Sequence, residues 1–396
     1  MHKLKINLMN LIDNKWTRAA IPALLIHCCI GSVYCWSLLK GDIASLMGVS
    51  VSSIEFAFSL AIFFLGTSAA FGGRFVEKNV RASSVLSCVC FVLGLVFSIV
   101  SIINSSVLGL MLSYGVLMGI GLGIGYLSPV KTLMLWFSEH KGLATGIAIS
   151  GFGLSKALFS PFIEWCNSSY NVLYTLGAMA LISVISMLSA SFLIKKPNGW
   201  IEPKTEFKIS EYTGIIKNSI FLRIWLIFYI NITCGLALIA FEKDLALTVG
   251  IGWIGILSAI TAGFNTLGRF GYSTASDHLW KKIWIYIIIF LTSILVCVSG
   301  TSLTLIPIFL LLCIVNMGYG GGFSTLPTLL QSKFGMEKIS TIHGLALSAW
   351  AWAGLSGNQL SNLVLVHLGL GYEPLLWILT VLYGIALAIS ISLIKK

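Results

Sequence analysis

One stretch, residues 262–282, decides the fold most clearly, and it reads AGFNTLGRFGYSTASDHLWKK. It begins inside a long apolar run, in which Arg269 has no acidic residue near it before Asp277. Placing a guanidinium at the depth of the membrane centre raises the free energy of insertion by at least about 2.5–3.5 kcal/mol. Arginine cannot lose its proton to avoid this penalty. We therefore interpret Arg269 as facing a water-filled cavity in which it binds an anion.

The composition indicates an integral membrane protein. Of the 396 residues, 57% are hydrophobic and only 10% are charged, whereas about 25% of a soluble domain is charged. The net charge of +11 comes from basic residues in short segments between apolar runs, so we expect a lipid bilayer and no nucleic acid as partner. The nine cysteines form no paired metal motif and no nucleotide motif is present, so we predict no metal and no cofactor.

Apolar runs long enough to cross a bilayer, about 20 residues each, occur throughout the chain. We predict twelve spans: Ala19–Leu39, Ser52–Phe71, Ala82–Ile103, Val107–Trp136, Gly142–Trp165, Val172–Ile194, Ile220–Ala240, Ile251–Ala275, Ile283–Gly300, Leu303–Leu330, Ile342–His367 and Tyr372–Ile394. The polar segment 195–219 divides them six and six. The prediction is an all-α membrane protein with a six-helix bundle in residues 1–194, a linker loop in residues 195–219 and a second six-helix bundle in residues 220–396.

Basic residues set the expected orientation. Twenty of the 25 basic residues fall on one side of the predicted spans, with both termini and the linker, and the opposite loops hold only Lys40 and Lys243. The positive-inside rule places that side in the cytoplasm. We expect a monomer in the cell membrane with both termini cytoplasmic.

The two halves repeat a charged loop. Residues 73–81 read GRFVEKNVR and residues 273–281 read STASDHLWK, each with an acid four residues after a small residue and a base four residues after the acid. Both resemble the cytoplasmic loop signature of the major facilitator superfamily, although Glu77 stands where Asp is usual. The resemblance implies a charge latch that breaks as the halves rock, and the gating residues it implies are Gly73, Glu77, Lys78, Arg81, Asp277 and Lys281.

A second set of motifs is similar to the oxalate/formate antiporter family within that superfamily. The motifs are WF at 136–137, KGLA at 141–144, GFG at 151–153, NTLGR at 265–269, YGGGF at 319–323 and AWAWAG at 349–354. The resemblance covers nearly the whole chain and implies two six-helix halves, with Arg269 binding a substrate carboxylate. Members that carry dicarboxylates are expected to have a second basic residue on span eleven, where Trp350 stands here.

Three cations lie inside predicted spans: Arg269, Lys156 and Lys131. Arg269 is about 12 Å along a helix from Asp277, nearest the membrane midplane. Lys156 is interpreted as facing the cavity, where it can supply a second charge. Lys131 either faces the cavity or extends its side chain to the cytoplasmic surface, because Trp136 is only about 7.5 Å further along.

Aromatic residues are predicted to line the rest of the pocket. Tyr319 and Phe323 are four residues apart and share a helix face. Trp350 and Trp352 point in nearly opposite directions, so at most one of them faces the cavity. The other candidates are Tyr34, Tyr126 and His27, of which His27 is interpreted as a hydrogen-bonded interior residue or, alternatively, a proton carrier. His343 and His367 lie near span ends and give no signal of a site.

These observations favour a secondary transporter that moves a small organic anion, a mono- or dicarboxylate, by alternating access and by exchange. A proton-coupled monocarboxylate symporter and a transporter-like carboxylate sensor are the alternatives. A membrane-embedded enzyme is disfavoured, because the sequence has no His-Glu-x-x-His motif and no carboxylate pair within a span.

Overall fold

Twelve long helices form the molecule in a computed structural model that describes residues 14–200, 209–337 and 339–394. In chain order they are α1 (Trp16–Met47), α2 (Val51–Lys78), α3 (Val80–Ile103), α4 (Val107–Trp136), α5 (Lys141–Ser169), α6 (Val172–Leu193), α7 (Ser219–Ile239), α8 (Ile254–Asp277), α9 (Ile283–Gly300), α10 (Leu305–Phe334), α11 (Ile339–Ser361) and α12 (Tyr372–Ser392). Shorter helices cover Ile209–Lys217 and Glu242–Thr248, and a π-helical segment, Asn362–His367, extends α11. Across these described ranges no strand occurs, which confirms the all-α prediction.

Ten of the twelve helices are long and apolar enough to cross a membrane by composition alone, and α8 and α11 are the other two. These two helices carry buried polar residues, among them Asn265 and Arg269 on α8 and His343 on α11. Both pack across the middle of the molecule, α8 against α5 and α10, and α11 against α2 and α7. The polar side chains of α8 and α11 therefore lie on faces that other helices cover. Within a membrane, polar side chains are tolerated at such covered faces.

Both described ends of the chain lie on one side, which we call the terminal side. The Lys195 N–H donates to the Arg18 carbonyl at 3.1 Å, and the Lys281 Nζ donates to the Ile394 carbonyl. The first half, α1–α6, meets the second half, α7–α12, mainly where α2 packs on α11 and where α5 packs on α8. These two contacts occupy matching positions in the two halves, so the molecule has the paired arrangement that the repeated loops predicted.

The glycine run of α4 lets three helices approach closely. A Cβ on Gly123 would overlap the Leu65 carbonyl of α2, and a Cβ on Gly121 would lie 2.6 Å from the Phe91 nitrogen of α3. Between membrane helices, packing of this kind replaces the hydrophobic driving force that operates in water. The glycines therefore allow α4 to lie between α2 and α3.

Candidate functional site

A cavity of about 320 Å³ lies between the halves and opens on the side opposite the termini. At its mouth Lys40 and Glu55 form an ion pair, with the Nζ and Oε1 atoms 2.5 Å apart. Lys156 lies in its wall and forms no hydrogen bond or ion pair with any residue of the described ranges. This position agrees with the prediction that Lys156 faces the cavity.

Two tyrosines close the inner end of this cavity. Tyr34 of α1 and Tyr319 of α10 belong to different halves, both line the cavity, and their hydroxyl oxygens are 2.9 Å apart. One of these hydroxyls donates to the other, so a single hydrogen bond joins the halves at this level. Because Tyr34 is half-buried and Tyr319 is buried, the pair separates the open cavity from the side chains beneath it.

Arg269 lies beneath this pair and is 1% exposed, so the expectation that it faces the open, water-filled cavity is not met. Its Nε donates to the Asn265 Oδ1 at 2.7 Å, and one terminal nitrogen makes a long contact of 3.5 Å with the Ile149 carbonyl of α5. Among the residues that the structure describes, no carboxylate oxygen is within 4 Å of the guanidinium. Its partners are therefore polar but uncharged, and the positive charge is not compensated.

Two aromatic rings and two glycines shape the space around Arg269. The guanidinium carbon is 5.6 Å from the Phe152 ring centre and 5.2 Å from that of Phe323, distances at which a cation is attracted to a ring face. A Cβ on Gly153 of α5 would lie 3.1 Å from the Arg269 Cδ, and a Cβ on Gly320 of α10 would lie 3.0 Å from its Cγ. The arginine side chain thus fits between α5 and α10 because both helices have glycine there.

Trp350 completes the aromatic cluster from α11. Its ring centre is 4.5 Å from that of Phe323, 5.8 Å from that of Phe152 and 5.6 Å from that of Tyr126. The side chain is fully buried. The structure therefore brings Arg269, Tyr34, Tyr126, Tyr319, Phe323 and Trp350 together, although they come from five helices of both halves.

The two buried histidines differ in their partners. The His27 Nδ1 faces the Ala148 carbonyl, its Nε2 lies 3.1 Å from the Tyr126 carbonyl, and its ring stacks on that of Tyr126. His27 is thus buried and within hydrogen-bond distance of two backbone carbonyls. His343 was given no role from the sequence, but it is buried with its ring centre 5.9 Å from that of Tyr126, and its Nε2 has no partner in the described ranges.

Two predicted site residues lie elsewhere. Trp352 is 55% exposed and packs on Phe63 at the outer surface, because two residues turn a helix by about 200° from Trp350. The expectation that Trp352 lines the site is not met by this position. Lys131 is buried with its Nζ 6.0 Å from the ring centre of Trp200 in the linker, so its side chain extends toward the terminal side.

Sequence reasoning missed two residues that touch Arg269. Asn265 accepts its hydrogen bond, and Phe152 packs on its guanidinium. The spacing of four residues between Asn265 and Arg269 places them on one helix face and was a usable signal. Phe152 had no comparable signal, because it reaches Arg269 only through the packing of α5 on α8.

On the terminal side, two carboxylates cross from one half to the other. The Asp277 Oδ1 and Oδ2, at the end of α8, accept from the Gly142 N–H at 2.7 Å and the Leu143 N–H at 2.9 Å, which begin α5. Glu77, at the end of α2, accepts from the Thr341 N–H and hydroxyl, both at 3.1 Å, at the start of α11. A negative charge is stabilised at a helix N-terminus by its free N–H groups and its dipole. These contacts close the terminal side, while the cavity is open on the other.

Two basic residues of the repeated loops donate hydrogen bonds to backbone carbonyls. Arg81 donates to the Phe192 carbonyl at 3.1 Å, Lys281 donates to the Ile394 carbonyl, and Lys78 is exposed. Each of these two bonds stays within one half. Gly73 lies at the crossing of α2 and α11, where a Cβ would be 2.5 Å from the Ser340 carbonyl. In each loop the acid therefore links the halves, and the glycine allows α2 and α11 to approach.

Chemically, the arrangement can hold an anion. A buried guanidinium with uncharged partners, ringed by aromatic side chains, offers a charged fork in a space from which water is largely excluded. In the ranges that the structure describes, no three His, Cys, Asp or Glu side chains come together as a metal site would require.

Comparisons with known proteins agree with this geometry. The model of the Major Facilitator Superfamily matches residues 21–358. The chain is 24% identical to the oxalate:formate antiporter of Oxalobacter formigenes over 96% of this chain and 91% of that one. It is 25% identical to the uncharacterised MFS-type transporter YhjX of Escherichia coli K12, with 82% of each chain covered.

Among solved structures, a bacterial homologue of the iron transporter ferroportin, in an outward-facing state, superposes with a TM-score of 0.75 at 12% identity, over 95% of this chain and 99% of that one. That likeness concerns the fold. Together, the family match over most of the length and the twelve helices in two packed halves show that this chain belongs to the Major Facilitator Superfamily.

Proposed function

We propose that this protein is a secondary transporter that carries a small organic anion by alternating access, in exchange for a second anion. The observation that carries the proposal is Arg269, which is buried between the halves with an asparagine, a backbone carbonyl and aromatic rings as its neighbours. An isolated buried charge is expensive, and a carboxylate from solution compensates it. The similar oxalate:formate antiporter supports the same class of substrate.

The substrate carboxylate binds the terminal nitrogens of Arg269. The Nε is already committed to Asn265, which fixes the plane of the guanidinium, and the terminal nitrogens keep N–H groups for a bidentate contact although one of them also makes the long contact with the Ile149 carbonyl. A charge-assisted hydrogen bond contributes about 1.5–3 kcal/mol of binding free energy. Two such bonds to Arg269 therefore give the site measurable affinity for a carboxylate. The rings of Phe152 and Phe323 limit the space beside the carboxylate, which favours a small anion.

Lys156 is placed to receive a second carboxylate. Gly153 of α5 lies against Arg269, and Lys156 is three residues further along the same helix face, about 4.5 Å closer to the cavity mouth. A dicarboxylate can therefore span Arg269 and Lys156. A monocarboxylate uses Arg269 alone and leaves Lys156 to attract anions into the cavity.

The conformation in the structure is the state that accepts substrate from outside. With the terminal side assigned to the cytoplasm by its excess of basic residues, the cavity opens outward and the contacts of Glu77 and Asp277 close the cytoplasmic side. The anion enters, separates the hydroxyls of Tyr34 and Tyr319, and reaches Arg269. Compensating the arginine charge then allows the halves to rock, so an empty carrier changes state slowly and exchange results.

Counterflow in proteoliposomes tests the proposal. Vesicles loaded with unlabelled formate, oxalate, pyruvate or lactate should accumulate the labelled form of at least one of them without a pH gradient. Arg269→Gln should abolish this exchange at matched expression, because it removes the charge, and Arg269→Lys should reduce it at least about tenfold, since lysine lacks the fork.

Lys131→Gln is the matched control, because Lys131 is also a buried cation but lies near Trp200 and not at the cluster. It should retain exchange. If the wild-type protein accumulates no labelled carboxylate, or if Arg269→Gln exchanges as fast as wild type, the proposal is refuted. Uptake that requires an inward proton gradient and shows no counterflow would instead favour the proton-coupled symporter.

A further inference from the structure

Three of the ten buried side-chain polar atoms that have no hydrogen-bond partner among the described residues lie on neighbouring side chains. They are the Tyr126 hydroxyl, the His343 Nε2 and the Trp350 Nε1, on side chains that are 0%, 2% and 0% exposed. Tyr126 connects them, since its ring centre is 5.9 Å from that of His343 and 5.6 Å from that of Trp350. They therefore form one group, which we call the inner cluster.

The inner cluster extends from Arg269 toward the terminal side. Trp350 packs on Phe323, which itself lies against the guanidinium. His343 is seven residues, or about 10 Å, closer to the start of α11, where Glu77 binds Thr341. His343 therefore lies nearer the terminal side than Trp350 does.

Seven other buried side-chain polar atoms of the described residues also lack a partner, but these three are grouped around one side chain, Tyr126, whereas two comparable groups nearby have partners. A ring N–H of His27 donates to a backbone carbonyl, and the Tyr286 hydroxyl, also fully buried, donates to the Gly322 carbonyl at 2.6 Å. A buried polar atom without a partner costs free energy, so three on side chains that pack around Tyr126 require an explanation. A ligand that they bind in another conformation supplies one.

We propose that Tyr126, His343 and Trp350 form a second carboxylate-binding position, which the substrate occupies after it leaves Arg269 and when the terminal side is open. The inference rests on the proposed transport function. The phenol O–H and the indole N–H are donors suited to carboxylate oxygens, and the imidazole Nε2 joins them in the tautomer that carries its proton there. Because α11 begins at the Glu77 contact, breaking that contact frees the helix that carries two of the three donors.

Transport measured separately from each face tests this position. Right-side-out and inverted membrane vesicles report the half-saturating concentration on the opposite and terminal faces, with the wild-type substrate chosen from formate, oxalate, pyruvate and lactate. Tyr126→Phe and His343→Leu should each raise that concentration about tenfold on the terminal face, since each removes one hydrogen bond to a charged group. On the opposite face the change should stay below about twofold, because Arg269 still binds the incoming anion.

Tyr286→Phe is the matched control, since it also removes one buried tyrosine hydroxyl but lies outside the binding residues. It should leave both faces unchanged and lower the melting temperature. Tyr126→Phe should not lower the melting temperature, because its hydroxyl has no partner to lose, so this variant remains informative if His343→Leu fails to fold.

Two results would overturn the inner position while leaving the transport function standing. One is an unchanged half-saturating concentration on both faces, and the other is an equal increase on both, which would assign Tyr126 to the Arg269 site itself. Absence of any carboxylate exchange by the wild-type protein would refute the transport function, and this inference with it.

Discussion

At the scale of the residue, the availability of Arg269 for an anion depends on the uncharged side-chain amide of Asn265. The asparagine oxygen accepts from the Nε at 2.7 Å and so orients the guanidinium, yet it contributes no charge. A carboxylate in that place would form an ion pair and would satisfy the arginine without any substrate. The amide therefore keeps the site available for an anion.

The first prediction follows from this pairing. Asn265→Asp should weaken anion binding at least about tenfold at neutral pH, because the new carboxylate competes with the substrate for the same cation. The competition should persist on mild acidification, because the ion pair with Arg269 lowers the pKa of the new carboxyl group. Isothermal titration at several pH values measures both effects.

Asn265→Leu is the control for this substitution, since it removes the hydrogen bond but adds no charge. It should bind more weakly than wild type and more tightly than Asn265→Asp at neutral pH, and its affinity should not improve on acidification. Equal affinities of the two variants at neutral pH would show that the charge at position 265 has no influence on binding.

At the scale of the element, the terminal side is closed by carboxylates that cap helices of the opposite half. Asp277 accepts hydrogen bonds from two N–H groups of α5, and Glu77 accepts hydrogen bonds from the N–H and the hydroxyl of Thr341 in α11. A charge at a helix N-terminus contributes about 0.3–1 kcal/mol and up to about 2 kcal/mol when partly buried. Two such contacts are strong enough to hold one conformation and weak enough to be broken in each cycle.

The second prediction concerns this closure. Asp277→Asn keeps the shape but loses the charge and one acceptor, so the state open on the terminal side should become more populated. Counterflow should fall about tenfold, whereas the affinity for substrate at Arg269 should change little. Lys281→Gln is the control, because its bond to the Ile394 carbonyl stays within one half. A loss of affinity as large as the loss of turnover would contradict the role of a latch.

The third prediction compares two neighbouring glycines. In the structure a Cβ on Gly73 would lie 2.5 Å from the Ser340 carbonyl, whereas a Cβ on Gly72 would lie 3.6 Å from the Ile124 side chain, an ordinary contact. Gly73→Ala should therefore prevent α2 and α11 from closing and should reduce counterflow strongly, and Gly72→Ala should transport normally. Equal activities of the two variants would show that the close approach at Gly73 does not limit the cycle.

At the scale of the whole molecule, both described ends and the start of the linker at Lys195 lie on the closed side, which carries most of the basic residues of the described ranges. The fourth prediction is that this side faces the cytoplasm. A reporter that fluoresces only in the cytoplasm should be active when fused after Lys396, and one that requires export should be inactive. Activity of the exported reporter would reverse the orientation and, with it, the assignment of the cavity as outward-facing.

By itself the sequence determined the class of the molecule, the twelve helices and the residue at its centre. Those features depend on the length of apolar runs, on charge placement and on one arginine within a span, all of which are local properties of the chain. The helices α8 and α11 are less apolar than the other ten. That difference in composition indicated that their polar faces are covered by other helices.

Only the tertiary structure decided which side chains meet Arg269 and which turn away. Phe152 reaches it because α5 packs on α8, Trp352 faces outward while Trp350 is buried, and His343 lies against Tyr126 of the other half. The acids of the repeated loops likewise cap distant helices instead of serving only their own loops. These contacts join residues more than a hundred positions apart, and their geometry depends on how two six-helix halves pack, which no local pattern in the sequence encodes.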